Sequence, residues 1–150
     1  MERQIIQILS ASLTPLIAII TIYIAYQQYR TNRYKFRLDL YEKRFAIYKA
    51  IVRVLSQVLE KGKFELEWLP EFRDKTREAA FFFEKDITDY LDEIDSKCID
   101  LWEKSESIKE LPVGDERSKT VHEMADLTKW LIHQLPESKK KFMTYLKIEE

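Results

Sequence analysis

The chain opens on an unbroken apolar run and then settles into stripes with helical spacing. Residues 5–26, "IIQILSASLTPLIAIITIYIAY", hold twenty-two positions without a charge. As a helix this run would measure about 33 Å, enough to cross a hydrocarbon core of roughly 30 Å. Pro15 removes one backbone donor and can kink the segment, which membrane helices tolerate. A cleaved signal peptide fits poorly, because "MERQ" is barely basic, the run is too long and no A-x-A site follows. The pattern predicts a transmembrane helix.

From Tyr34 the apolar positions change character. Tyr34, Leu38, Tyr41, Phe45, Tyr48, Val52, Leu55 and Leu59 alternate steps of four and three, and Leu40, Ile47, Ile51, Val54 and Val58 widen the stripe. A stripe this broad suits a bundle better than a two-stranded coiled coil. No Gly or Pro interrupts Thr21 to Lys61, so one continuous helix is expected, stopped by Gly62. Within the span, the small residues Ala11, Thr14, Ala18, Thr21 and Ala25 form a second stripe, about 100° out of phase with the first. That stripe would let another helix approach closely, so a parallel homo-oligomer through this face and a lone span stand as equal alternatives.

The remaining pattern predicts three or four further helices. Pro70 opens one carrying Phe72, Ala79, Ala80 and Phe83. Asp86 is the expected N-cap of the next, with Ile87, Leu91, Ile94, Cys98, Leu101 and Trp102 on its apolar side. Asp115 is expected to cap a third, which carries Val121, Met124, Leu127, Thr128, Leu131 and Leu135 and stops at Pro136. A short helix with Phe142, Tyr145 and Leu146 ends the chain. The expectation is an all-α protein in two parts: residues 1–26, the tail and membrane helix, and residues 27–150, a helical domain.

Composition agrees with long helices: two Gly, four Pro and 34% charged residues. One cysteine excludes an internal disulfide framework. The net charge of -1 argues against a nucleic-acid binder, but it conceals an asymmetry. Residues 27–63 carry ten basic against three acidic side chains (+7), and residues 64–150 fourteen against twenty-two (-8). Opposite blocks of this kind pack together or face an oppositely charged partner. Arg30, Arg33, Lys35 and Arg37 form a basic collar just after the span, with Tyr23, Tyr26 and Tyr29 at the boundary. The positive-inside rule then puts the N-terminus outside and residues 27–150 in the cytoplasm, with membrane lipid as the first partner.

Candidate chemistry is sparse. "HEMAD" (His122–Asp126) lacks the second histidine of a zincin helix, and His122 and His133 stand three turns apart. No nucleophile elbow, phosphate loop or di-iron Glu-x-x-His is present, so no catalytic, cofactor-binding or metal residue is assigned. Cys98 reads as a buried structural thiol. The acidic residues Asp89, Asp92, Glu93, Asp100 and Glu103 read as a solvated face or one apposed to the basic helix. Lys139–Lys141 read as solvated, with a docking patch for an anionic ligand as the sharper alternative.

Three stretches, "IYIAYQQYRTNRYKFRLDLYEKRFAIYKA", "AAFFFEKDITDYLDEI" and "SKKKFMTYLKI", carry a resemblance to a widespread group of small uncharacterised bacterial single-span membrane proteins with a helical cytoplasmic domain. The resemblance covers nearly the whole chain. It implies an inner-membrane location and carries over no activity and no functional residue. The expected function is a non-enzymatic, membrane-anchored interaction or regulatory module that binds itself, another protein or an anionic small molecule. The alternative is a ligand-gated membrane effector, by architectural analogy with membrane proteins of phage defence.

Overall fold

The computed structural model describes the backbone of residues 2–147 and the side chains of Leu13 and residues 15–147. Every regular element among them is helical, in keeping with the all-α expectation. In order these are α1 (Glu2–Lys61), a 3-10 turn (Leu66–Trp68), α2 (Leu69–Thr76), α3 (Ala79–Phe82), α4 (Lys85–Glu110) and α5 (Asp115–Met143). The chain divides into two compact units, Met1–Asp39 and Leu40–Glu150.

In the first unit α1 presents its side chains outward: every described residue from Leu13 to Phe36 is exposed. Thr21 donates its hydroxyl to the Ile17 carbonyl (2.8 Å), a local bond that hides a polar group on an otherwise apolar surface. Among the described residues no helix is long and apolar enough to cross a membrane. Much of the predicted span, residues 5–12 and Thr14, lies outside the described side chains.

In the second unit the core gathers Ile51, Leu55 and Val58 of α1 with Phe64, Phe72, Ile87, Ile94, Leu101, Leu131 and Phe142. The sequence seam is displaced on α1. Ile47, Ile51, Val54 and Val58, expected only to widen the stripe, form its centre, while Tyr34 and Leu59 are 63% and 51% exposed. Tyr34 and Leu38 precede the unit in which the other helices pack. Leu59 lies about 100° around the helix from Val58 and misses the contact. Gly62 ends α1 as expected. Its φ of 65° is left-handed, and its N–H donates to the Val58 carbonyl at 2.8 Å.

Three other expectations are corrected. The helix opened by Pro70 does not reach Phe83: it stops at Thr76, and a separate short helix, α3, follows at Ala79–Phe82. Phe72, Ala79 and Phe83 are buried, but Ala80 is exposed. Neither Asp86 nor Asp115 is an N-cap; Glu84 and Gly114 hold those positions without a side-chain bond. Both aspartates sit in the first turn, where the helix dipole favours them. Finally, α5 does not stop at Pro136 but continues to Met143. Ser138 and Phe142, both fully buried beyond the proline, hold those turns against the core. Burying a phenylalanine contributes about 1.5–3 kcal/mol, which offsets most of the cost of an internal proline.

Helix α4 matches its pattern most closely. Ile87, Leu91, Ile94, Cys98 and Leu101 are all buried, together with Tyr90, and the helix packs mainly on α5. On α5 the inner positions are Leu131, Gln134, Ser138 and Phe142, whereas Val121 is 47% exposed.

Candidate functional site

Two regions hold the candidate features, one in each unit. In the first, the membrane-helix stripe is described at Ala18, Thr21 and Ala25, all exposed; the side chains of Ala11 and Thr14 lie outside the description. The neighbouring apolar residues are exposed as well: Leu16, Ile17, Ile19, Ile20, Ile22 and Ile24 show between 49% and 70% of their surface. Arg30, Arg33 and Lys35 of the collar are exposed and Arg37 is half-buried. Arg33 donates to the Tyr29 hydroxyl (3.5 Å) and stacks its guanidinium over the same ring at 5.7 Å. Gln27 donates to the Tyr23 hydroxyl at 3.0 Å. The Arg33–Tyr29 pair presents an aromatic and a cationic group side by side, the mixture found at lipid–water boundaries.

In the second unit, α1 and α2 enclose a groove of about 410 Å³. One wall is a single face of α1: Ala46, Lys49, Ala50, Arg53, Val54 and Gln57, spaced at three- and four-residue steps. The other wall repeats that spacing with Trp68, Glu71, Phe72 and Lys75. Alanines at 46 and 50 leave the space, because neither side chain reaches the facing helix. Val54 and Phe72 are buried and make an apolar floor. Three cations stand on the rim against one carboxylate, and Arg53 pairs with Glu71 across it. Lys49 lies 5.2 Å over the Phe45 ring. The signal for this groove was present in the sequence as Ala46 and Ala50 one turn apart among basic residues, but its second wall is not local.

Arg44 is one of the ten basic side chains of residues 27–63. Its guanidinium donates to two backbone carbonyls, Phe82 and Tyr145, each at 3.0 Å. It also stacks on the Phe83 and Tyr145 rings, at 5.8 and 5.6 Å. Phe83 contacts Phe142 edge-on (centroids 5.0 Å apart), so Arg44 fastens α1 to the end of α3 and to the C-terminal turn. Tyr145 donates in turn to the Asp86 carboxylate at 2.9 Å.

The opposite charge blocks meet at Lys43–Glu78 (3.7 Å), at Arg53–Glu71 and at Glu65, which pairs with Lys61 and Lys63 (3.2 and 3.1 Å), but much of the acid pairs elsewhere. Asp95 receives a forked pair of bonds from Arg73 (2.9 and 2.6 Å), and Glu123 of α5 takes Lys104 of α4 at 2.5 Å. The hydrogen bond from Lys104 holds the Glu123 carboxyl below its usual range. Asp89, Asp92, Glu93 and Glu103 are exposed. Burial, with a smaller contribution from Asp95, pushes the Cys98 thiol up to about 12, so it is a packed and unreactive group. His122 and His133 are both exposed, and a ring nitrogen of His122 lies 2.8 Å from the Ser118 carbonyl. Lys139, Lys140 and Lys141 are exposed; Lys140 pairs with Glu137 (2.6 Å) and Lys141 lies 5.0 Å over the Tyr90 ring. Among the described residues no group of three or more His, Cys, Asp or Glu side chains could hold a metal ion. Compared with family models, with curated proteins and with solved structures, the chain matches none.

Proposed function

We propose that this chain is a non-enzymatic, membrane-anchored helical module of the bacterial inner membrane. Residues 5–26 cross the bilayer with the N-terminus outside, and residues 27–150 bind a partner or a second copy at the cytoplasmic face. The observation that carries this reading is the exposed apolar surface of Leu16 to Ile24. Six large aliphatic side chains there are about half exposed or more. Transferring what they expose from water into hydrocarbon would contribute on the order of 5–10 kcal/mol. The collar Arg30, Arg33, Lys35 and Arg37 supports the orientation, since basic residues are retained on the cytoplasmic side. The ligand-gated effector requires two arrangements of the membrane helices, and no observation favours it over this reading.

The test is topology and extraction in cells. A reporter fused after Glu150 is expected to be active only in its cytoplasmic form, and the chain to stay in the pellet after alkaline carbonate extraction. Release by carbonate would refute the span, and periplasmic reporter activity would refute the orientation.

A further inference from the structure

We propose that the groove between α1 and α2 binds a small amphiphilic anion, an organic acid with an acyl or aryl body and a carboxylate or phosphate head. The volume, about 410 Å³, falls within the range of small-molecule sites. Its floor selects the body of the ligand. Ala46, Ala50, Val54 and Phe72 offer no hydrogen-bonding side chain, and Trp68 adds a flat, half-buried indole. A polar body, such as a sugar or a nucleobase, would lose its water over these four side chains and regain no hydrogen bond from them. An acyl or aryl body loses nothing.

The rim selects the head. Lys49, Arg53 and Lys75 stand around the opening against the single carboxylate of Glu71, an excess of two positive charges. Arg53 can bind a carboxylate or phosphate through two parallel N–H groups, and at present it gives one of them to Glu71. Glu71 is thus a stand-in for the ligand head: it occupies the guanidinium and would be displaced on binding. This yields a signature that a merely structural ion pair does not give. Removing the Glu71 charge should strengthen ligand binding, because the competitor is gone, whereas removing Arg53 should weaken it.

The experiment is isothermal titration of the full-length chain, in phosphatidylcholine nanodiscs or in plain buffer if it is soluble without lipid. Octanoate and octyl phosphate are the probes, and empty nanodiscs are the blank. Saturable binding of either probe is expected, with their ratio assigning the head group. Glu71→Gln should bind at least threefold more tightly, and Arg53→Ala and Lys75→Ala each several-fold more weakly. Ala50→Phe should abolish binding by filling the floor, while circular dichroism confirms that the helices persist. ATP, which has the charge without the apolar body, should bind at least tenfold more weakly than the better probe. Absence of saturable binding, equal binding of the octyltrimethylammonium cation, tighter binding of ATP, or indifference to Glu71→Gln would each overturn the proposal. The groove lies wholly within residues 40–150, so this titration and the topology test fail independently.

Discussion

Replacing Arg44 should cost the helical unit more stability than its half-buried position would lead one to expect. The guanidinium makes two hydrogen bonds to carbonyls distant in sequence and two ring contacts. Hydrogen bonds from a charged donor contribute about 1.5–3 kcal/mol each, and this site is partly open, so the lower end applies. Each ring contact adds about 0.5–1 kcal/mol, and ordering the long side chain costs up to about 2 kcal/mol. The balance is a loss of about 2–3 kcal/mol for Arg44→Met, which keeps the aliphatic length and removes the donors. For a unit of roughly 110 residues this lowers the melting temperature by about 8–12 °C. Arg44→Lys should fall between, since an ammonium group cannot place two donors in the same fork. The assay is helical ellipticity against temperature for the full-length chain. Combining Arg44→Met with Tyr145→Leu isolates the ring contact, with an expected coupling of about 0.5–1 kcal/mol. A loss below about 1 kcal/mol for Arg44→Met, or wild-type stability for Arg44→Lys, would refute the reasoning.

Two further outcomes follow from burial. Val58→Ala should destabilise by about 2 kcal/mol and Leu59→Ala by no more than about 0.5 kcal/mol, because Val58 is fully buried and Leu59 is half exposed. Equal losses in denaturant titrations would mean that the α1 face is misassigned. Cys98 should resist a thiol reagent at pH 8 until the chain is unfolded. Its folded pKa is raised above the ordinary value near 9, so the thiol adds no pH-dependence below that value. Between about pH 9 and pH 12 the unfolded thiol ionises while the folded one does not, so stability should fall with rising pH, and less steeply in Cys98→Ala. Rapid labelling of the native chain would contradict the burial.

What the sequence determined by itself is the helical character and the stop of α1 at Gly62. The absence of Gly and Pro from Thr21 to Lys61 allows a long α1, and Gly62 ends it because only glycine takes its left-handed φ without strain. The period of α4 alone identified Ile87, Leu91, Ile94, Cys98 and Leu101 as buried, since one broad contact with α5 covers a regular stripe. Where several elements converge on one helix, periodicity is not enough. On α1 both Val58 and Leu59 are apolar, and only the placement of the other helices decides which is covered. Pro136 shows the same limit: a local rule ends the helix there, but the burial of Ser138 and Phe142 carries it on. The charge asymmetry was visible as a sum, yet its partners were not. Arg44 finds backbone carbonyls 38 and 101 residues away, and the groove needs a second wall from α2. Those are contacts between segments remote in sequence, and they exist only once the bundle has closed.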